Sequence, residues 1–196
     1  MVDKMVATVE SSGRIDLITY SDLLWQIALQ PDSPLENPSS ADLNRALNLI
    51  INQRLVLQEA EKLPAVSPSD KEVQDVLSIL YKRFPSRPEF ELRLAKVGLS
   101  SDQLREIVRQ RLVTEKYLDF RFGSFVIVTQ QEVADYYRDV YLPRFRRTAP
   151  GRIVPTLEEV RGDLEKILID NKIESDTDAF IESARERAEI TILNQV

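Results

Sequence analysis

The chain has 196 residues, of which 43% are apolar and 30% charged, an ordinary globular balance with enough apolar material for one large domain or two small ones. Zero cysteines exclude disulfides and thiolate metal sites. Zero histidines remove the usual general base and the commonest transition-metal ligand. A net charge of −6 works against nucleic-acid binding, whose affinity comes mostly from Lys and Arg neutralising phosphates. No apolar run approaches the roughly 20 residues needed to span a bilayer, so no transmembrane segment is expected.

The first predicted element is a β-hairpin: Met5 to Val9, a turn through Glu10-Ser11-Ser12-Gly13, and a return along Arg14 to Ile18. The period then becomes helical, and helix starts are marked by a hydroxyl side chain followed three residues later by an acid or amide. Thr19 with Asp22 opens the first helix. Ser39 with Asp42 opens a long second one, with Leu43, Ala46, Leu47, Ile50, Ile51, Leu55 and Val56 on one stripe, running to about Lys62 and stopped by Pro64. Ser67 with Asp70, and Pro68 as first helical residue, start a third carrying Val73, Val76, Leu77, Leu80 and Phe84, ended by Pro85.

A shorter helix from about Pro88 to Val97 closes on Gly98. Ser100 with Gln103 begins a fifth, with Leu104, Ile107, Val108, Leu112, Tyr117 and Leu118 facing inward, finished by Gly123. Phe125 to Val128 reads as an extended connector. Thr129 with Glu132 caps a sixth helix, which Pro143 is expected to break. The stretch 143–155 holds three prolines, a glycine and the basic cluster Arg144, Arg146, Arg147 and Arg152, and reads as an exposed linker. Thr156 with Glu159 starts a seventh helix, and Asp176 an eighth. The chain closes in an alternating strand, Ala188 to Leu193, whose natural partner is the N-terminal hairpin. The expected fold is mainly α: about eight helices with a small antiparallel sheet made by that hairpin and the C-terminal strand.

The order of these elements resembles that of SurA-like periplasmic chaperones, at their N-terminal chaperone domain. The likeness is carried by the strand Met5 to Val9, the helix start Thr19 to Leu23, and the run Leu49-Ile50-Ile51-Asn52-Gln53-Arg54-Leu55-Val56-Leu57-Gln58-Glu59-Ala60. It continues through Val66 to Val73, Gly98-Leu99-Ser100, and Val128 to Tyr137, and returns at Leu157 to Arg161 and Arg187 to Ile192. The resemblance implies an N-terminal chaperone lobe at 1–142, a linker at 143–155 where the family normally inserts a parvulin prolyl-isomerase domain, and 156–196 completing the same chaperone domain. Thirteen residues leave no room for a parvulin, and the family's parvulin sites carry histidines that this chain lacks, so no enzymatic activity is expected.

The implied function is an ATP-independent holdase, without cofactor or metal, binding unfolded polypeptides, outer-membrane proteins among them, in an apolar groove between the helical lobe and the closing helices. A structural adaptor with one fixed partner, a homodimer, and a domain-deleted isomerase stand as alternatives. Met1-Val2-Asp3-Lys4 opens no basic-then-apolar leader, which fits either a cytoplasmic chain or a removed signal peptide; the resemblance implies the second, with the periplasm or another extracytoplasmic space as the expected place. Candidate client-binding residues are Tyr81, Phe84, Tyr137 and Tyr141, aromatics near proline-broken helix ends; aromatics at helical spacing also read as core. No catalytic constellation stands out: Asp16, Asp22, Glu158, Glu159 and Asp163 sit where acids favour helix starts.

Overall fold

In the computed structural model, which describes residues 3–11, 13–63 and 67–196, the chain is mainly helical with one three-stranded antiparallel sheet. Strands β1 (Met5–Ser11) and β2 (Arg14–Thr19) form the predicted hairpin, and β3 (Glu189–Ile192) pairs on the other side of β1, in the order β2-β1-β3. The hairpin turn is tighter than the sequence suggests. Ser11 still pairs with Arg14, and Gly13 takes φ +79°, a backbone conformation that glycine reaches without a Cβ penalty; Ser12 lies outside the described residues. The described residues form seven helices: α1 (Tyr20–Ala28), α2 (Ser40–Ala60), α3 (Asp70–Lys82), α4 (Arg87–Lys96), α5 (Ser101–Phe122), α6 (130–148) and α7 (Leu157–Arg187).

The chain divides into two compact units, residues 1–117 with 181–196, and residues 118–180. The first unit holds two apolar clusters. In one, Val6, Val9 and Ile18 of the sheet meet Leu23 and Ile27 of α1, Ala184 of α7, and the stripe Leu43, Leu47, Ile50, Ile51 and Leu55 of α2. In the other, Val73, Leu77 and Leu80 of α3 pack with Phe90 and Leu94 of α4 and with Leu104, Val108 and Leu112 of α5. Helix α1 serves both: Trp25 packs against the second cluster, and its Nε1 donates to the Val97 carbonyl at 3.0 Å. Burying a Leu, Ile or Phe at each of these positions stabilises by roughly 1.5–3 kcal/mol before entropy is counted.

Local signals explain most boundaries. Thr19 and Asp22 close a reciprocal capping box, as do Thr129 and Glu132, and Ser39 accepts from the Asp42 amide. Ser100 and Gln103 exchange bonds at the start of α5, and Thr156 donates to Glu159 at the start of α7. Gly98, at φ +67°, ends α4 as predicted. Arg93 secures the other end of α1: its Nε donates to the Ala28 carbonyl at 2.8 Å, and its Nη2 to the carbonyls of Ile27 at 3.2 Å, Gln30 at 2.8 Å and Ser33.

Four expectations are corrected. Helix α3 starts at Ser69, not Ser67, with Pro68 preceding the cap rather than opening the helix. The Ser69 amide and hydroxyl both donate to Glu72, and Lys116 Nζ reaches the same carboxylate at 2.6 Å, so the later serine captures the better acid. Helix α2 already ends at Ala60; Pro64, expected to stop it, lies outside the described residues.

Pro143 does not break α6. A π turn over Tyr137–Tyr141 comes just before it, and the Leu142 amide donates five residues back to Tyr137; this wider turn takes the strain that a proline ring puts on the preceding helix. The first half of the predicted linker is therefore helical, to Thr148. Asp176 starts no new helix, because 157–187 contains no proline and its one glycine, Gly162, is accommodated, so the predicted seventh and eighth helices are one of 31 residues.

Candidate client-binding surface

The unit formed by residues 118–180 has little core of its own. Among its described residues only Val133 and Leu164 are fully buried apolar side chains, whereas the other unit carries both large clusters. Its large apolar side chains point outward instead: Phe125 is 75% exposed, Ile127 77% and Ile153 94%, with Phe120, Val140 and Ile167 also exposed. Scattered exposed apolar residues are common, and the first unit has some; a unit that exposes more bulky apolar side chains than it buries is not.

The segments that display these residues are held at their backbones. After α5 the chain makes a single 3-10 turn, Gly123–Phe125, and then runs extended at Val126. The Ile127 carbonyl accepts from Lys172 Nζ at 2.7 Å, and the same ammonium pairs with Glu132 at 2.6 Å. That pairing, with the Thr129 amide and hydroxyl, draws the Glu132 carboxyl down to about 2. Ile153 lies in the connection 149–156, where the Arg152 amide donates to the Ala149 carbonyl and the Tyr137 hydroxyl donates to the Pro155 carbonyl at 2.7 Å. Fixed backbone with outward side chains presents apolar area without first having to order a loop.

Helix α6 adds an aromatic ladder. Tyr137 and Tyr141 stack with centroids 5.6 Å apart and planes at 18°, and Phe145 follows 5.9 Å beyond Tyr141. A recess of about 200 Å³ opens beside it, lined by Tyr136, Val140, Tyr141, Arg144, Phe145 and Ile167. Arg144, Arg146, Arg147 and Arg152 are all solvent-exposed. Phe122 and Phe180 pack at 5.8 Å, with the Arg121 guanidinium 4.7 Å from the Phe180 ring.

The four predicted aromatics separate into two pairs. Tyr137 and Tyr141 are neighbours on α6, half-buried and beside the recess. Tyr81 and Phe84 belong to the first unit, and Phe84 corrects the expectation of exposure: it is 7% exposed and packs on Phe90 at 4.5 Å. Tyr81 is half-buried, edge-on to Phe90 at 5.2 Å and covered by the Arg87 guanidinium at 5.1 Å. Proline ends α3 near these two, but the core of α3 to α5 claims the ring first. The residues that sequence reasoning did not single out are Ile127 and Ile153. Their signal was an isoleucine in a segment without helical period.

Among the described residues no group of three or more acidic, histidine or cysteine side chains is arranged to hold a metal ion, and no helix is long and apolar enough to cross a membrane. Comparison with models of known protein families finds no match, and none of the curated proteins matches the chain.

Proposed function

We propose that this chain is an ATP-independent holdase of the SurA-like kind, which works in the periplasm and keeps unfolded polypeptides, outer-membrane proteins among them, from aggregating. The observation that supports the reading most is the unit 118–180, with Phe125, Ile127 and Ile153 held outward on fixed backbone and only two apolar side chains fully buried. A holdase needs apolar area for an extended client, divided by charge so that it does not associate with itself. Here Arg121, Arg144, Arg152 and Lys172 fall among the exposed apolar residues in sequence. Clients bound in this way contribute little affinity per unit area, because each loses conformational entropy on capture.

The test is light scattering from a denatured outer-membrane β-barrel protein diluted into buffer with increasing amounts of this chain. Dose-dependent suppression is expected. The triple variant F125S/I127S/I153S should need at least tenfold more protein for the same effect, since each exposed apolar side chain that meets a client is worth on the order of 1 kcal/mol. Its melting temperature should match that of the parent. A folded parent that leaves scattering unchanged, or a triple variant as effective as the parent, refutes the proposal.

A further inference from the structure

The first unit contains a small recess lined by Trp25 and Gln26 of α1, Gln53 and Arg54 of α2, and Gln110 and Arg111 of α5. Its two arginines are unusual in their partners. Arg54 donates from Nη1 to Gln110 Oε1 at 3.1 Å, and Arg111 from Nη2 to Gln26 Oε1 at 2.5 Å, both neutral amides. Among the described residues neither guanidinium has a carboxylate within ion-pairing distance, and the Nε of each is buried without a hydrogen-bond partner. Asp22 also lines the recess, but its carboxylate accepts the Thr19 amide at 2.8 Å and the Thr19 hydroxyl at 3.0 Å. Two guanidiniums thus share the recess with one carboxylate that pairs with neither and whose Oδ2 is held by Thr19, in a chain that is acidic overall.

An enclosed cation without a counter-charge is costly, and mutation readily replaces it with an apolar side chain of similar length. Burial holds the Arg111 guanidinium below the ordinary arginine range, and Arg83 nearby pushes it the same way, while its hydrogen-bond partner Gln26 is a neutral amide. The recess has room of about 50 Å³, enough for a few waters or one carboxylate and too little for a nucleotide or a sugar ring. The rest of its wall is Leu29, Ile50, Leu57 and Ile107 with Asp22 and Thr114, and its apolar part suits the carbon that carries a carboxylate.

We propose that this recess binds a carboxylate, clamped between Arg54 and Arg111 with its carbon against Trp25. A guanidinium holds a carboxylate through two parallel N–H donors, and two guanidiniums set its plane. Small free acids, the C-terminus of a peptide and an acidic side chain share this chemistry. The site belongs to residues 1–117 with 181–196 and does not depend on the holdase reading, whose surface lies in 118–180.

Trp25 is the only tryptophan in the chain, so its emission reports on the recess directly. The full chain is titrated with acetate, with an acetylated Ala-Ala-Leu peptide as free acid, with the same peptide as amide, and with acetyl-Ala-Glu-Ala amide, all at matched sodium chloride. The expected result is a saturable change with at least one of the three carboxylates and none with the neutral amide. The strongest responder identifies the source. R54Q and R111Q should each raise the midpoint about tenfold or more, as loss of a charge-assisted pair predicts. R111M should abolish the response while melting no lower than the parent, which separates loss of the site from loss of the fold. No response from any carboxylate beyond the salt control, an equal response from the neutral amide, or unchanged midpoints in R54Q and R111Q overturns the proposal.

Discussion

Replacing Arg93 with methionine tests the fold at its most concentrated polar joint. Arg93 donates to the carbonyls of Ile27, Ala28, Gln30 and Ser33, which are the last turn of α1 and the loop that follows. Methionine keeps the length and apolar stem but removes every donor. A hydrogen bond from a charged donor contributes about 1.5–3 kcal/mol when sheltered. This site is half-buried and water can reach some of the freed carbonyls, so about 1 kcal/mol for each of the better bonds, or about 3 kcal/mol in total, is the expected loss.

By the usual relation for a chain of this size, that lowers the melting temperature by about 6–12 °C. Arg93→Lys, with one compact ammonium in place of a fork, should lose about half as much. Urea unfolding followed by circular dichroism at neutral pH, with the slope held in common, gives both numbers. If Arg93→Met falls within about 0.5 kcal/mol of the parent, or Arg93→Lys is as damaging as Arg93→Met, the arginine is not the clasp described here.

Phe90 is fully buried between Tyr81 and Phe84, so Phe90→Ala should destabilise by about 3–5 kcal/mol in the same urea experiment; a loss under about 1 kcal/mol would mean that the α3 to α5 cluster is not packed as found. Acid should weaken the fold through two carboxylates. Hydrogen bonding to Lys116 and to Ser69 draws Glu72 from 4.5 to about 2, and Lys172 with Thr129 does the same for Glu132. A depressed folded-state pKa gives stability that is complete above the unfolded value and is lost as pH falls from about 4.5 toward 2. The double variant Glu72→Gln/Glu132→Gln should therefore show a flatter dependence of stability on pH in that window than the parent, and parallel curves would refute the assignment.

Much of the architecture was legible because it is written locally. A hydroxyl and an acid three residues apart mark a helix start wherever the chain goes next, and the α2 stripe from Leu43 to Val56 is buried as its spacing requires. The start of α3 was misplaced because Ser67 with Asp70 and Ser69 with Glu72 carry the same local pattern, and the tie came from Lys116, more than forty residues away. Pro143 misled because a proline forbids an ordinary helical turn but not a π turn. Asp176 misled because an acid of the kind favoured at helix starts also occurs inside helices that have no reason to stop.

The candidate sites were less legible still. Tyr137 and Tyr141 follow from spacing on one helix, but the exposure of Ile127 and Ile153 depends on what the rest of residues 118–180 fails to cover. The meeting of Arg54 with Gln110, and of Gln26 with Arg111, depends on how α1, α2 and α5 pack. No periodicity records such meetings.

The pairing of β1 with β3 also has a kinetic side. Ala7 faces Ile192 and Glu10 faces Glu189, so four residue pairs join segments roughly 180 positions apart. Bringing such distant points together from an open chain costs on the order of 5 kcal/mol in loop entropy, more than four short pairings return. The helices must therefore bring the two strands near before the last edge can zip, which makes β3 a latch that closes late in folding and is among the first places to open. Hydrogen exchange should find the amides of Thr191 and Ile192 less protected than those of α2, although both belong to the same unit.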